Sequence, residues 1–234
     1  MSPSWNLALF HLVNGLAGRP ILDHFVLFAM DATVFHNGLI AAPYVILWFH
    51  DRRPQVRAHL ALGLLAGVLA IIAARTLAHC LPFEVRPAFS PASGFKALSS
   101  PLPTNLETWS AFPSDNAAFT LAVALGLYPV NRRLSLALAA IVMVVYGLFR
   151  VYAGFHYPAD IAAGWLIGTA AILAVQPLAA RSQWISRFEI PFALQPFLYG
   201  LAFLALTEYA SMFETVRRIT RAVPLTAHLL HQTL

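Results

Sequence analysis

Residues 150–178, RVYAGFHYPADIAAGWLIGTAAILAVQPL, run from an arginine, a histidine and an aspartate straight into an apolar stretch. About 20 apolar residues span a bilayer's hydrocarbon core. Pro158 suits the first turn of a helix, where its missing N–H costs nothing. A spanning helix is therefore predicted over about 158–178, with His156 at its entrance and Asp160 in its first turn.

Working outward, similar stretches recur. Further spans are predicted at about 134–153, ended by Gly154, and at about 115–130, 57–79, 22–48 and 191–212. The composition agrees: of 234 residues, 59% are hydrophobic and 11% charged, and the mean hydropathy is +0.68. A soluble domain carries about 25% charged residues. The expected fold is all-α, a polytopic membrane bundle of about six transmembrane helices in a single domain, 1–234. Residues 1–18 hold an apolar stretch too short to span and are predicted as an interfacial amphipathic helix. Residues 80–114 form a long extracytoplasmic loop rich in proline and serine, and 213–234 a basic, amphipathic tail.

The net charge of +5 and the pI near 9.8 do not point to nucleic acid, because the arginines flank apolar segments instead of forming a basic domain. Basic linkers at 50–57, 131–133 and 181–187 fall on one side, read as cytoplasmic. Arg217, Arg218 and Arg221 break the pattern, as a tail folded back along a membrane surface would. The N-terminal residues lack the basic region and small-residue cleavage site of a removable signal peptide. Cys80 is the only cysteine, and there is no HExxH, Walker loop or GxGxxG, so neither metal nor cofactor is expected. Asp31, His36 and Asn37 lie inside the first predicted span; they read as buried hydrogen bonding or packing, or as a transport path.

Three short stretches concentrate polar groups at helix ends on one predicted side: 79–87, HCLPFEVRP; 113–116, PSDN; and 150–160, RVYAGFHYPAD. Ionisable groups at membrane depth are expensive and usually face partners or cavities. Asp160 could accept one imidazole N–H of His156 and leave the other nitrogen facing a substrate. Arg86 and Arg150 are candidate anion ligands, since a guanidinium presents a rigid fork of donors. Ser114 could donate to a phosphate oxygen, with the Asp115 and Asn116 N–H groups at a helix entrance. Arg75, one turn before His79 on the same helix face, could serve as a distal cation or simply reach the headgroups.

Together these stretches resemble the tripartite signature of the type 2 phosphatidic acid phosphatase (PAP2) superfamily: KxxxxxxRP, then PSGH or PSDH, then SRxxxxxHxxxD. Arg86-Pro87 matches the end of the first, with His79 in its lysine position; Pro113, Ser114 and Asp115 match the second, with Asn116 in its histidine position; Arg150, His156 and Asp160 match the third, with Phe149 in its serine position. The resemblance covers about 20–175, and the short format looks most like bacterial undecaprenyl-diphosphate phosphatases of the BcrC kind. It implies metal-independent removal of phosphate from a polyprenyl diphosphate through a phosphohistidine. His156 would attack, Asp160 would orient it, and Arg86, Arg150, Ser114, Asp115 and His79 would hold the phosphoryl group. The site would face the periplasmic side of a bacterial inner membrane.

Asn116 departs from that scheme, because an amide cannot act as a general acid. A lipid diphosphate expels a phosphate monoester, whose second pKa is near 6. That leaving group needs less proton help than the alkoxide of a lipid monophosphate. Asn116 therefore marks either a diphosphatase with a relaxed need for the acid or an introduced inactivating exchange. Other readings are a broader monoesterase acting on phosphatidate or phosphatidylglycerophosphate, an inactive lipid-binding or transport relative, and a structural membrane protein. Lipids are the expected partners; oligomeric state is not legible.

Overall fold

The computed structural model describes residues 3–32, 37–102, 107–181 and 195–210. It is all-α, with two short helices before the bundle, α1 (Ser4–Asn14) and α2 (Pro20–Asp31). A wide turn, Asn37–Ala41, leads into α3 (Ala42–His50). The bundle itself contains α4 (Pro54–Cys80), α5 (Asp115–Gly126), α6 (Arg132–Met143), α7 (Phe149–Tyr152), α8 (Pro158–Val175) and α9 (Gln195–Ala210). A second wide turn, Val144–Leu148, joins α6 to α7 without breaking the rod.

Three helices among the described residues are long and apolar enough to cross a membrane: Pro54–Cys80, Arg132–Tyr152 and Pro158–Ala179. Two of the predicted spans take a different form from the one expected. The span placed at 22–48 is divided, because Ala32 turns extended (ψ 118°) and ends α2 after 12 residues. The span placed at 115–130 is only 12 residues of α-helix, and nearly every residue of it is buried. A helix that is apolar all round can be buried in protein as readily as in lipid, and α5 is the central helix that the others surround. His36 and the side chains of Asp31 and Asn37, with their suggested transport path, lie outside the described residues, as does the tail.

Small residues set how closely the helices approach. A Cβ on Gly164 of α8 would lie 2.4 Å from the Ser114 carbonyl oxygen, and one on Gly168 would lie 2.3 Å from that of Ala118. The α8 backbone therefore rests directly on α5, the close packing that small-xxx-small patterns permit within a membrane. At one end, His59 of α4 is bonded to Gln176 beyond α8 (2.7 Å). The opposite end gathers the C-termini of α4 and α7 and the N-termini of α5 and α8, and there the polar stretches meet.

The connection between α4 and α5 is a strap across that end. Buried Asp23 accepts the N–H and hydroxyl of Ser99, each at 2.8 Å, and the hydroxyl of Tyr152. Asn14 donates to the Tyr152 carbonyl (2.8 Å) and accepts from Lys96 N (2.7 Å). Asn6 accepts the Ala159 N–H at 2.9 Å, meeting one of the unpaired donors at the start of α8. Thus α1 turns its asparagines inward and leaves Trp5, Leu9 and Leu12 exposed.

Candidate active site

A tight turn delivers His156. Helix α7 ends at Gly154, which takes φ +73°, and Phe155 N donates back to the Arg150 carbonyl (2.9 Å). This is the six-to-one closure of a left-handed helix stop. Pro158, two residues after His156, starts α8. His156 is thus caught between a helix that has stopped and one that has not begun, and it is 1% exposed.

Its two nitrogens have different surroundings. Nδ1 lies 2.8 Å from the Ala111 carbonyl oxygen. A carbonyl only accepts, so Nδ1 carries the proton. Nε2 then holds the lone pair, 3.3 Å from Arg86 Nη1 and 3.3 Å from Ser114 Oγ. Burial first, then the charges of Arg86 and Arg150, hold this imidazole well below its ordinary pKa, outweighing the opposing effect of the Ala111 bond. The ring is neutral at physiological pH, the state a nucleophile needs.

Arg86 is buried and uses its fork on main-chain oxygens: Nη1 on Phe155 (2.9 Å), Nε on Trp109 (3.2 Å) and Nη2 on Ser110 (3.4 Å). Burial, followed by the Arg150 charge, lowers it to about 10, against the pull of Asp115 and Asp160. It remains a cation at neutral pH. The Arg150 guanidinium stacks 5.9 Å from the centre of the Phe155 ring. Ser114 caps α5, its hydroxyl accepting the Ala117 N–H at 3.4 Å, and its own N–H donates to the Asp160 carbonyl at 3.1 Å.

Asp160 differs from the simple expectation. Its Oδ2 accepts the Tyr157 N–H at 2.7 Å and lies 3.5 Å from His156 Nδ1. The short acceptor for the imidazole is the main chain of Ala111; the carboxylate stands behind it and also caps α8. Its Oδ1 is buried with no hydrogen-bond partner among the described residues.

Among the described residues, no three His, Cys, Asp or Glu side chains gather as a metal site. What gathers is a neutral imidazole with two guanidiniums acting on it, an arrangement suited to a phosphoryl group.

Comparison with known proteins agrees with that chemistry. Residues 83–184 match the PAP2 superfamily. The matched segment is the part of the chain that carries Arg86, Ser114, Arg150, His156 and Asp160. One relative is Escherichia coli (strain K12) YbjG, provisionally named an undecaprenyl-diphosphatase; it is 27% identical over 177 residues, covering 75% of this chain and 83% of YbjG. The crystal structure of Aquifex aeolicus LpxE superposes with a TM-score of 0.55 and 26% identity, covering 75% of this chain and 97% of that one. The chain is thus similar to PAP2-type lipid phosphatases over the segment that holds the site, and three of its described helices are long and apolar enough to cross a membrane.

Against the PAP2 pattern, Arg86, Ser114, His156 and Asp160 come together, and the Arg150 charge acts on the group. His79 does not join it by contact: it is exposed near the end of α4 and makes no hydrogen bond among the described residues. Asn116 is half-buried, and its Nδ2 donates to Asp115 Oδ1 at 3.1 Å. Asp115 in turn accepts from Arg75 Nε at 3.2 Å. Sequence reasoning missed Ala111 and Trp109, whose contributions are main-chain oxygens that no side-chain signature announces.

Proposed function

We propose that the chain removes a phosphate from a lipid phosphate through a phosphohistidine on His156. The observation that carries this reading is the neutral ring fixed by Ala111, with its Nε2 lone pair directed at Arg86 and Ser114. Nε2 forms a bond to phosphorus, and the bond from phosphorus to the leaving oxygen breaks, its electron pair going to that oxygen. The ring becomes cationic, with the Ala111 carbonyl and the Asp160 carboxylate nearest its proton. Arg86, Arg150 and Ser114 hold the phosphoryl oxygens, the electrostatic contribution that dominates such transfers. Water then attacks phosphorus, releases phosphate and restores the neutral ring. No metal takes part in this scheme.

An open cleft of about 570 Å³ adjoins the site, lined mainly by apolar residues including Leu81, Phe83, Val85 and Phe112, with Glu84 and Tyr157. Val85, Phe112 and Tyr157 are chain neighbours of Arg86, Ala111 and His156, so the cleft suits the first part of a lipid chain. The substrate class is broad, including monoesters such as phosphatidate. A polyprenyl diphosphate is a second reading. It is favoured by Asn116, which cannot protonate a leaving oxygen and whose amide is engaged by Asp115. The end of the bundle that carries the site faces away from the cytoplasm, and α1 lays its outward apolar face at the membrane interface.

The test is phosphate release by the full chain in lipid nanodiscs from phosphatidate and from farnesyl diphosphate. Release from at least one is expected, falling by about 10³-fold or more in His156→Ala. Undiminished release in that variant would overturn the assignment. General acid catalysis contributes about 10²–10⁴-fold. Asn116→His should therefore speed release from phosphatidate more than from farnesyl diphosphate.

A further inference from the structure

Arg75 is a partly buried cation that the scheme above leaves without work. It lies on α4, and its guanidinium reaches across to the start of α5. Nε donates to Asp115 Oδ2 at 3.2 Å, and Cζ lies 5.8 Å from the centre of the Trp109 ring. Both contacts lead into the site. Asp115 follows Ser114, whose hydroxyl lies 3.3 Å from His156 Nε2. Trp109 gives its main-chain oxygen to Arg86. Asp115 is itself fixed, its Oδ1 accepting Asn116 N at 2.8 Å and Asn116 Nδ2 at 3.1 Å.

The guanidinium is therefore held on two sides, yet its Nη2 is buried with no hydrogen-bond partner among the described residues. A buried charged donor left unmet is costly, and native structures seldom carry one without a purpose. The carboxylate that holds this guanidinium, Asp115, is next in the chain to Ser114, whose hydroxyl faces His156 Nε2. An anion extending beyond the attacked phosphorus would meet Arg75 Nη2.

We propose that Arg75 binds a second phosphoryl group of the substrate, the one that departs with the lipid, and so makes the site selective for diphosphates. This rests on His156 attacking the terminal phosphorus. The bridging P–O bond breaks, and its electron pair goes to the oxygen of the lipid phosphate, which leaves as a dianion. A phosphate monoester has its second pKa near 6. The dianion therefore needs no proton at neutral pH, and Arg75 stabilises its growing charge while remaining protonated. Asn116 fits this arrangement as the residue that fixes Asp115, which fixes Arg75.

The test uses the full chain in phosphatidylcholine nanodiscs, with farnesyl diphosphate and farnesyl phosphate as paired substrates. Arg75→Gln should lower kcat/KM on the diphosphate by about 10–100-fold, the worth of one charged hydrogen bond. On the monophosphate it should change by less than about threefold, and Arg75→Lys should recover part of the diphosphate loss. An equal fall on both substrates, or none on either, overturns the proposal. So does a melting temperature raised by phosphatidylglycerol in the parent chain but not in Arg75→Gln, with diphosphate turnover unchanged, because the guanidinium then serves a bilayer headgroup. If Arg75→Gln does not fold, Arg75→Lys carries the same comparison. A parent chain that hydrolyses the diphosphate and is matched by Arg75→Gln removes only the role of Arg75. One that hydrolyses neither substrate, nor phosphatidate, removes the underlying reading as well.

Discussion

His156 Nδ1 and the Ala111 carbonyl oxygen, 45 residues apart in the chain, are joined at 2.8 Å. That bond fixes which nitrogen is free, and burial with two nearby guanidiniums keeps the ring neutral below its ordinary value of 6.5. The acid limb of kcat/KM is expected below pH 6.5, with activity rising as pH climbs through the lowered pKa and level above it. A limb at or above 6.5 would contradict this. Stability carries the same sign. The unfolded chain takes up a proton that the folded ring refuses, so stability falls as pH drops below 6.5. Thermal unfolding of His156→Gln should lose that slope.

Asp160 yields a second prediction. Where a carboxylate sets the tautomer of a catalytic histidine, its amide variant loses about 10⁴-fold. Here the main chain of Ala111 sets the tautomer, so Asp160→Asn should lose much less in single-turnover phosphate release. Asp160→Ala also removes the cap on Tyr157 N and should cost about 0.5–2 kcal/mol of stability.

Gly164 tests the packing. An added methyl would lie 2.4 Å from the Ser114 carbonyl oxygen and 2.9 Å from the Ala117 Cβ. Overpacking of this kind costs about 1–3 kcal/mol. Gly164→Ala should lower the melting temperature in detergent and slow turnover by shifting Ser114. Gly38→Ala, with nothing within 4 Å of the added carbon, should leave both unchanged.

Orientation can be read from Cys80, which is exposed, lies at the site end of α4 and is the chain's only cysteine. A membrane-impermeant maleimide should label it in intact spheroplasts. Labelling only after lysis would place the site on the cytoplasmic side.

The helices at 57–79 and 134–153, and the start of α8 at Pro158, were legible because apolar length and a proline or glycine boundary are local signals. The span at 22–48 was not, because its interruption at Ala32 leaves no proline or glycine there to mark it. Helix α5 was read as a span because burial in protein and burial in lipid select the same residues. Arg86, Ser114, His156 and Asp160 could be grouped from the predicted topology and the resemblance to the three PAP2 motifs. The acceptor for Nδ1 could not, because any residue at 111 offers the same carbonyl. His79 was expected at the site by its place in a motif, but Arg75, one turn earlier, is the residue whose side chain contacts Asp115.

Arg86 spends its donors on the main chains of Trp109, Ser110 and Phe155 while also touching His156. It is at once a rivet between the strap and the bundle and a charge beside the His156 ring. Lost turnover in an Arg86 variant therefore cannot distinguish a missing charge from a sprung joint. A mutational scan of this protein needs a folding readout beside every rate, or it will credit chemistry with what belongs to architecture.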